Sequence, residues 1–251
     1  MARLVGPHAV WAALRAGRRS VEKLFAVTEG RSPQVRRILA FAREQGIPVK
    51  LLHRRALATL AGTMDHQGIV AQVAEVHYVE VAELLTEAQV RGEPPFLLIL
   101  DGVQDPGNLG ALLRTAEASG VHGVVIPKDR SAGVGAAVAK AAAGAMEHMR
   151  LARVTNIPQV LAGLKRQGLW VYGADVGRGR SPQEVDLAIP LALVLGGEER
   201  GLRSLVRTSC DVLISLPMVG RVESLNVSVA GGILMYEILR QRLFRMKIQE
   251  K

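Results

Sequence analysis

Cysteine is nearly absent: Cys210 stands alone among 251 residues. A single thiol excludes an intrachain disulfide and fits a reducing, cytoplasmic setting. Next to an apolar run it reads as a small buried hydrophobe. Aromatic residues are scarce at 4%, against 49% hydrophobic residues. The core is therefore expected to consist of Val, Leu, Ile and Ala, a composition that suits α/β architecture better than a β-sandwich. No stretch resembles a signal peptide or a membrane span. The longest apolar run, Leu187 to Leu195, is short and is interrupted by Pro190, which excludes a bilayer crossing.

Several catalytic signatures are also missing. There is no Gly-x-x-x-x-Gly-Lys-Ser/Thr, which argues against a P-loop. Gly133-x-Gly135 and Gly177-x-Gly179 lack the third glycine of a dinucleotide-binding turn. No Gly-x-Ser-x-Gly elbow is present. Six histidines and one cysteine show no zinc spacing, so no metal is expected. His8 and His66 read as structural or surface residues.

What is present is unevenly distributed. The formal charge is +9. Residues 1–78 hold 12 Lys+Arg and 5 Asp+Glu, a net of +7, and the remainder holds 20 and 18, a net of +2. A small basic segment beside a nearly neutral body suggests a polyanion-binding module joined to something else. Its arginines, Arg15, Arg18, Arg19, Arg36, Arg37, Arg54 and Arg55, suit bidentate phosphate contact. With little aromatic interleaving, base stacking is not indicated there.

Periodicity and punctuation divide the chain into three. Residues 1–78 read as a compact α/β unit. A turn and a helix are expected over 4–17, with Pro7 in the first helical turn and Gly17 as the C-terminal cap, further helices from Ser32-Pro33 and over 56–60, and strands over 22–28, 49–52 and 69–76. Residues 79–95, acidic and closed by Pro94-Pro95, read as a linker. From Phe96 to the end, short apolar strands alternate with helices. Strands are expected over 96–100, 123–126, 150–154, 170–174, 191–195 and 211–216. Helices are expected over 111–119, 134–145, 158–166, 202–207 and 225–244. This alternation predicts a mainly parallel sheet covered on both faces.

Three Gly/polar loops follow strands in this last region, so all three are expected on one rim of the sheet. They are Asp105-Pro-Gly-Asn-Leu-Gly-Ala-Leu-Leu-Arg114, Leu195-Gly-Gly-Glu-Glu-Arg-Gly-Leu202 and Leu216-Pro-Met-Val-Gly-Arg-Val-Glu-Ser-Leu-Asn-Val-Ser-Val-Ala230. Singly, Asn108 and Ser224 read equally well as helix caps, Arg114 as a surface ion-pair partner, and Glu198 and Glu199 as acids favouring a helix dipole. Three such loops on one rim exceed what capping requires.

Taken together, the three loops resemble in order and spacing the three motifs of the SpoU (TrmH) family of SPOUT methyltransferases. The first 78 residues, through Gly-Pro-His-Ala-Val-Trp-Ala-Ala-Leu, Gly-Arg-Arg and His-Gln-Gly-Ile-Val-Ala, are similar to the ribosomal-protein-L30e-like substrate domain of members that methylate a guanosine ribose of 23S rRNA. The resemblance implies a SPOUT α/β-knot, with a C-terminal trefoil knot, preceded by that small α/β domain. It implies transfer of a methyl group from S-adenosyl-L-methionine to an RNA ribose 2′-hydroxyl, without a metal. It implies a homodimer formed through the knotted domain, with Val229, Ile233, Tyr236 and Leu243 suited to the interface.

Carried over by position, Arg114 activates the hydroxyl, while Asn108, Glu198, Ser224 and Asn226 orient Arg114 and the ribose. Glu198 is preferred to Glu199 for its spacing from Gly196. Leu195, Gly196, Leu216, Met218 and Leu225 would hold the cofactor. A tRNA substrate, or a catalytically silent RNA-binding assembly protein on the same scaffold, stays open at this point.

Overall fold

The computed structural model describes residues 1–177 and 179–249. In chain order its elements are β1 (Ala2–Val5), α1 (Pro7–Ala16), β2 (Val21–Val27), α2 (Pro33–Glu44), β3 (Val49–Leu52), α3 (Arg54–Ala61), β4 (Ile69–Val73) and α4 (Val81–Arg91). There follow β5 (Phe96–Asp101), α5 (Pro106–Ala118), β6 (Gly123–Pro127), α6 (Ala136–Ala141), β7 (Leu151–Val154) and α7 (Ile157–Arg166). The last are β8 (Trp170–Ala174), β9 (Leu191–Gly196), α8 (Ser204–Thr208), β10 (Val212–Ile214) and α9 (Val227–Gln249). They form two compact units. One contains Met1–His77 with Gly133–His148, and the other contains Tyr78–Ala132 with the described chain from Met149.

The first unit is a four-stranded sheet of order β1-β4-β2-β3, in which β4 runs antiparallel to both its neighbours and β2 runs parallel to β3. Pro7 in the first turn and Gly17 in the left-handed conformation bound α1, and the Ser32 hydroxyl accepts the Val35 amide to start α2. Ala9, Val10 and Ala13 of α1 and Val35, Ile38, Leu39 and Ala42 of α2 are buried, as the helical period requires.

This unit also takes in residues 133–148, which were expected inside the C-terminal domain. There α6 shortens to six residues and a 3-10 turn follows over Ala145–Glu147. Val138, Ala139, Ala142, Ala145 and Met146 are buried. Gly144 lies against α1 so closely that an added Cβ would sit 2.5 Å from the Ala12 Cβ. The small residues that read as a helix of the second region therefore serve close packing on the first.

The second unit is a six-stranded, all-parallel sheet of order β10-β8-β9-β5-β6-β7. Every residue of β5, β6 and β9 is buried, as expected for a parallel sheet packed on both faces. Residues 79–95, read above as a linker, instead carry α4. Glu80 and Glu83 form a reciprocal capping box, and Leu84, Leu85 and Ala88 are buried. Leu84 and Leu85 belong to the same core cluster as Ile99, Val125 and Val194. The acidic residues masked an amphipathic stripe.

The order of the strands places the site. From β5 the chain moves outward through β6 to β7, and later β9 returns on the other flank of β5. Such a switch point opens a crevice at the carboxyl ends of the strands. Asp101, ending β5, pairs in register with Gly196, ending β9. No helix among the described residues is long and apolar enough to cross a membrane.

Candidate active site

The sequence following β5 makes its helix start early. The Asp105 carboxylate accepts the Asn108 amide at 2.7 Å and Pro106 occupies the first turn. Helix α5 thus begins at Pro106, not Ala111, and Asn108 sits in its first turn without being the cap. On the third loop the cap is Asn226. Its Oδ1 accepts the Ser228 amide at 2.9 Å and the Ser228 hydroxyl at 2.6 Å, and its carbonyl accepts the Ala230 amide. Ser224, a candidate for that cap, lies before it on an exposed loop.

These loops meet in a directed chain of hydrogen bonds. Asn226 Nδ2 donates to Asn108 Oδ1 at 3.0 Å, and Asn108 Nδ2 donates to Glu198 Oε1 at 2.9 Å. Glu198 Oε2 faces the Gln104 amide at 3.5 Å. Partial burial pushes the Glu198 carboxyl up, but the Asn108 amide and the backbone amides around it outweigh this and hold its pKa below the usual value. Glu198 therefore stays ionised, and its charge lies at the start of α5, where a helix favours an anion. Glu199 makes no such bond among the described residues.

Beside this chain lies a cavity of about 370 Å³, within the range of small-molecule sites. Leu195, Gly196, Leu216, Met218 and Leu225, the five residues expected to hold a cofactor, all line it, as does Ser224. Asp175, Glu199 and Glu223 add carboxylates to the wall. The loop after β9 folds tightly over its own strand. A Cβ on Gly196 would lie 2.0 Å from the Gly201 carbonyl carbon, so only glycine fits. Across the wall, α9 approaches α5 through Gly231, where a Cβ would lie 2.5 Å from Leu112 and 2.6 Å from Leu195.

Arg114 lies two turns into α5, exposed, with no hydrogen bond or ion pair among the described residues. Its neighbours Leu112, Leu113 and Ala116 are buried. A guanidinium that nothing internal claims is free to meet a substrate.

Comparison with known proteins then decides the family. Residues 95–236 match the SpoU rRNA methylase family, and residues 3–79 match a family described as RNA 2′-O ribose methyltransferase substrate binding. The chain belongs to the SpoU rRNA methylase family. It is similar to the 23S rRNA (guanosine-2′-O-)-methyltransferase RlmB of Coxiella burnetii, 45% identical over 240 residues covering 95% of each chain. It is also similar to YacO of Bacillus subtilis, which is named for the TrmH family of tRNA/rRNA methyltransferases, at 44% over 239 residues and 95% of each chain. The fold matches the SpoU methyltransferase AviRb of Streptomyces viridochromogenes, solved with AdoMet, with a TM-score of 0.81 and 24% identity over 96% of this chain and 90% of that one.

For a SpoU protein, the basic first unit carries the remaining expectations, and the structure sorts them. Arg19 is buried and ion-paired with Glu147, Nε to Oε2 at 3.0 Å with a second bond from Nη2. That removes Arg19 from any RNA-facing surface: its charge is already neutralised inside the unit. Arg18 donates to the His148 carbonyl and Arg36 to the Arg31 carbonyl, both from exposed positions. Arg15 and Arg37 lie over the Trp11 ring at 6.0 and 4.8 Å. Arg54 and Arg55 open α3.

Two supporting groups escaped the sequence. Buried Asp101 accepts the Arg203 amide at 3.0 Å and its Nε at 2.7 Å, pinning the loop after β9 to the end of β5. Ser228 closes the Asn226 cap. The Asp105-Pro106 pair is a legible helix start, whereas the Asp101–Arg203 pair spans 102 positions and has no local signal.

Proposed function

We propose that this SpoU protein transfers a methyl group from S-adenosyl-L-methionine to the 2′-hydroxyl of a guanosine ribose in 23S rRNA. The observation that carries this reading is one junction. The cavity lined by Leu195, Gly196, Leu216, Met218 and Leu225 adjoins the chain from Asn226 through Asn108 to Glu198. The relative from C. burnetii named for this reaction supports the substrate.

The wall of the cavity fits the cofactor: apolar leucines and Met218 for flat and aliphatic parts, and carboxylates for cationic ones. When bound, S-adenosyl-L-methionine supplies a methyl group already activated as a sulfonium, so the protein has to align and deprotonate rather than activate. A guanidinium is a poor base. The part of Arg114 is to stabilise negative charge growing on the 2′-oxygen and to fix a neighbouring substrate phosphate, through which the hydroxyl proton leaves to water. Asn108, Glu198 and Asn226 tie the three loops together, and Ser224 lines the cavity beside them. Glu198, an acceptor only, forces the Asn108 amide to present Nδ2 to it and Oδ1 to Asn226. The 2′-hydroxyl itself restricts the reaction to RNA.

The proposal includes a trefoil knot formed by the segment after β10 and a homodimer through the same unit. The match to the SpoU rRNA methylase family supports the first. The exposed Val229, Ile233, Tyr236 and Leu243 on α9 support the second. It also places the protein in the cytoplasm, with rRNA. A tRNA substrate keeps one specific argument, since the name of the B. subtilis relative covers both RNAs.

Labelled S-adenosyl-L-methionine offered to RNA lacking 2′-O-methylation, then fractionated, tests the reading. Label on the ribose of a 23S guanosine is the expected result. Label in tRNA would replace the substrate, cofactor binding without label in any fraction would make an assembly intermediate the substrate, and no cofactor binding would leave a silent RNA-binding scaffold.

A further inference from the structure

The first unit has more cations than it leaves available. Arg19 is neutralised by Glu147, and Lys140 pairs with Asp65. Arg3, Arg18, Arg31 and Arg36 donate to main-chain carbonyls. On α1 and α2, Arg15, Arg37 and Arg43 make no hydrogen bond or ion pair among the described residues, and all three are exposed. Two of them converge on one aromatic ring.

That ring is Trp11, half-buried on α1. Arg37 from α2 lies 4.8 Å from its centroid and Arg15, one turn further along α1, lies 6.0 Å away. Phe41 of α2 meets the same ring edge-on at 5.3 Å. At the head of the seam Gln34 Nε2 reaches His8 Nδ1 at 3.4 Å. His8, Trp11 and Arg15 follow helical spacing along one side of α1, and Gln34, Arg37 and Phe41 along one side of α2. None of the six belongs to the faces that pack on the sheet. The two helices therefore hold a strip of rings, amides and guanidinium planes toward solvent.

A guanidinium laid on an indole is held flat, with one face and its N–H edge still open. Nucleobases stack on such planes, and phosphates bind such edges in pairs. We propose that the α1/α2 seam of Trp11, Arg15 and Arg37 is the surface on which the first unit docks unpaired nucleotides of the RNA substrate. This rests on the RNA reading above and adds the location and the stacking mode. Arg54 and Arg55, at the start of α3, have no aromatic partner among the described residues and are assigned no base contact.

The experiment separates stacking from charge. Arg37→Lys keeps the cation and loses the plane, and Arg43→Lys makes the same change on the same helix outside the stack. With full-length unmethylated 23S rRNA transcript, Arg37→Lys is expected to raise KM for RNA about tenfold at unchanged kcat and cofactor Kd, with Arg43→Lys within about twofold of wild type. The protein has two tryptophans. In a Trp170→Phe background the same transcript is therefore expected to quench the remaining Trp11 fluorescence. An Arg37→Lys variant matching wild type, equal losses in both variants, or no quenching would each overturn the proposal. If wild type transfers no methyl group to the transcript, the proposed activity fails, and the quenching titration still decides the docking surface.

Discussion

The first unit is completed by a segment from the middle of the chain, whereas the second gathers its site from loops that each follow their own strand. In the first, Arg19 meets Glu147 across 128 positions, and Gly144 closes on Ala12. In the second, Asn108, Glu198 and Asn226 each stand within a few residues of a parallel strand or its helix, and the topology brings them together. Stability in the first unit thus hangs on a remote partner, while chemistry in the second hangs on local loop composition. Variants at the two kinds of position are expected to fail in different assays.

Arg114→Ala should give the largest effect and touch function alone. An exposed side chain without internal partners contributes little to folding. Losing a charge that stabilises the reacting oxygen should lower methyl transfer by about 10²–10³-fold, with cofactor Kd unchanged by titration. Near-normal turnover would remove Arg114 from the mechanism. Glu147→Ala should do the reverse. It leaves the Arg19 guanidinium buried without its carboxylate, a loss of about 3–5 kcal/mol. Hydrogen exchange should lose protection in β1, β2 and β4 and keep it in β5 and β9. Uniform loss in both units would break the distinction. By the same logic a fragment of residues 1–78 should not fold by itself, and removal of residues 1–78 should strip the apolar face of residues 136–146 of its cover.

Legibility in the sequence follows the same division. The strands of the second unit read clearly because parallel strands buried on both faces are continuous apolar runs. Residues 170–174 were located to the residue, and β5 and β9 to within one. The motif loops read clearly because they are contiguous. What was hidden depended on partners far along the chain. The segment 133–148 is mostly glycine, alanine and valine, which pack well on any close surface. The α4 helix hides Leu84, Leu85 and Ala88 among glutamates before a Pro-Pro stop. Arg19 looks like its neighbour Arg18 in sequence, and only Glu147 distinguishes them. Strand β1, four residues at the chain start, has too short an alternation to register.

Within the second unit, the hydrogen-bonded chain allows a finer cut. Glu198→Gln keeps the size but puts an amide NH2 where only acceptors fit, opposite Asn108 Nδ2 and the backbone amides. Asn226→Asp keeps the cap on Ser228 but faces a carboxylate toward Asn108 Oδ1. Each should cost about 1–3 kcal/mol locally, read as weaker cofactor binding and slower transfer with the fold intact. Because both act through Asn108, the double variant should lose less than the sum of the two. Additive losses would show that the three residues do not act as one chain.

The smallest effect should be shared by both units, and so bounds the contrast between them. His66 in the first and His122 in the second are fully buried. In each, Nδ1 accepts a backbone amide, from Gly68 and Phe96 respectively, both at 3.0 Å. Burial pushes both imidazoles below the ordinary value of 6.5. The Arg54 charge adds to this at His66, and Glu93 opposes it at His122. A proton on Nδ1 would face an N–H donor, so the folded state keeps both rings neutral while the unfolded chain protonates them near 6.5. The stability they contribute is therefore present above that pH and is lost as pH falls below it. Melting temperature should decline modestly from pH 7 to pH 5 in both units. His122→Gln should remove the acid sensitivity of the second unit and leave that of the first. A flat profile in the wild type would mean that charged imidazole is accommodated at both sites, and the tautomers assigned here from the Gly68 and Phe96 amides would be wrong.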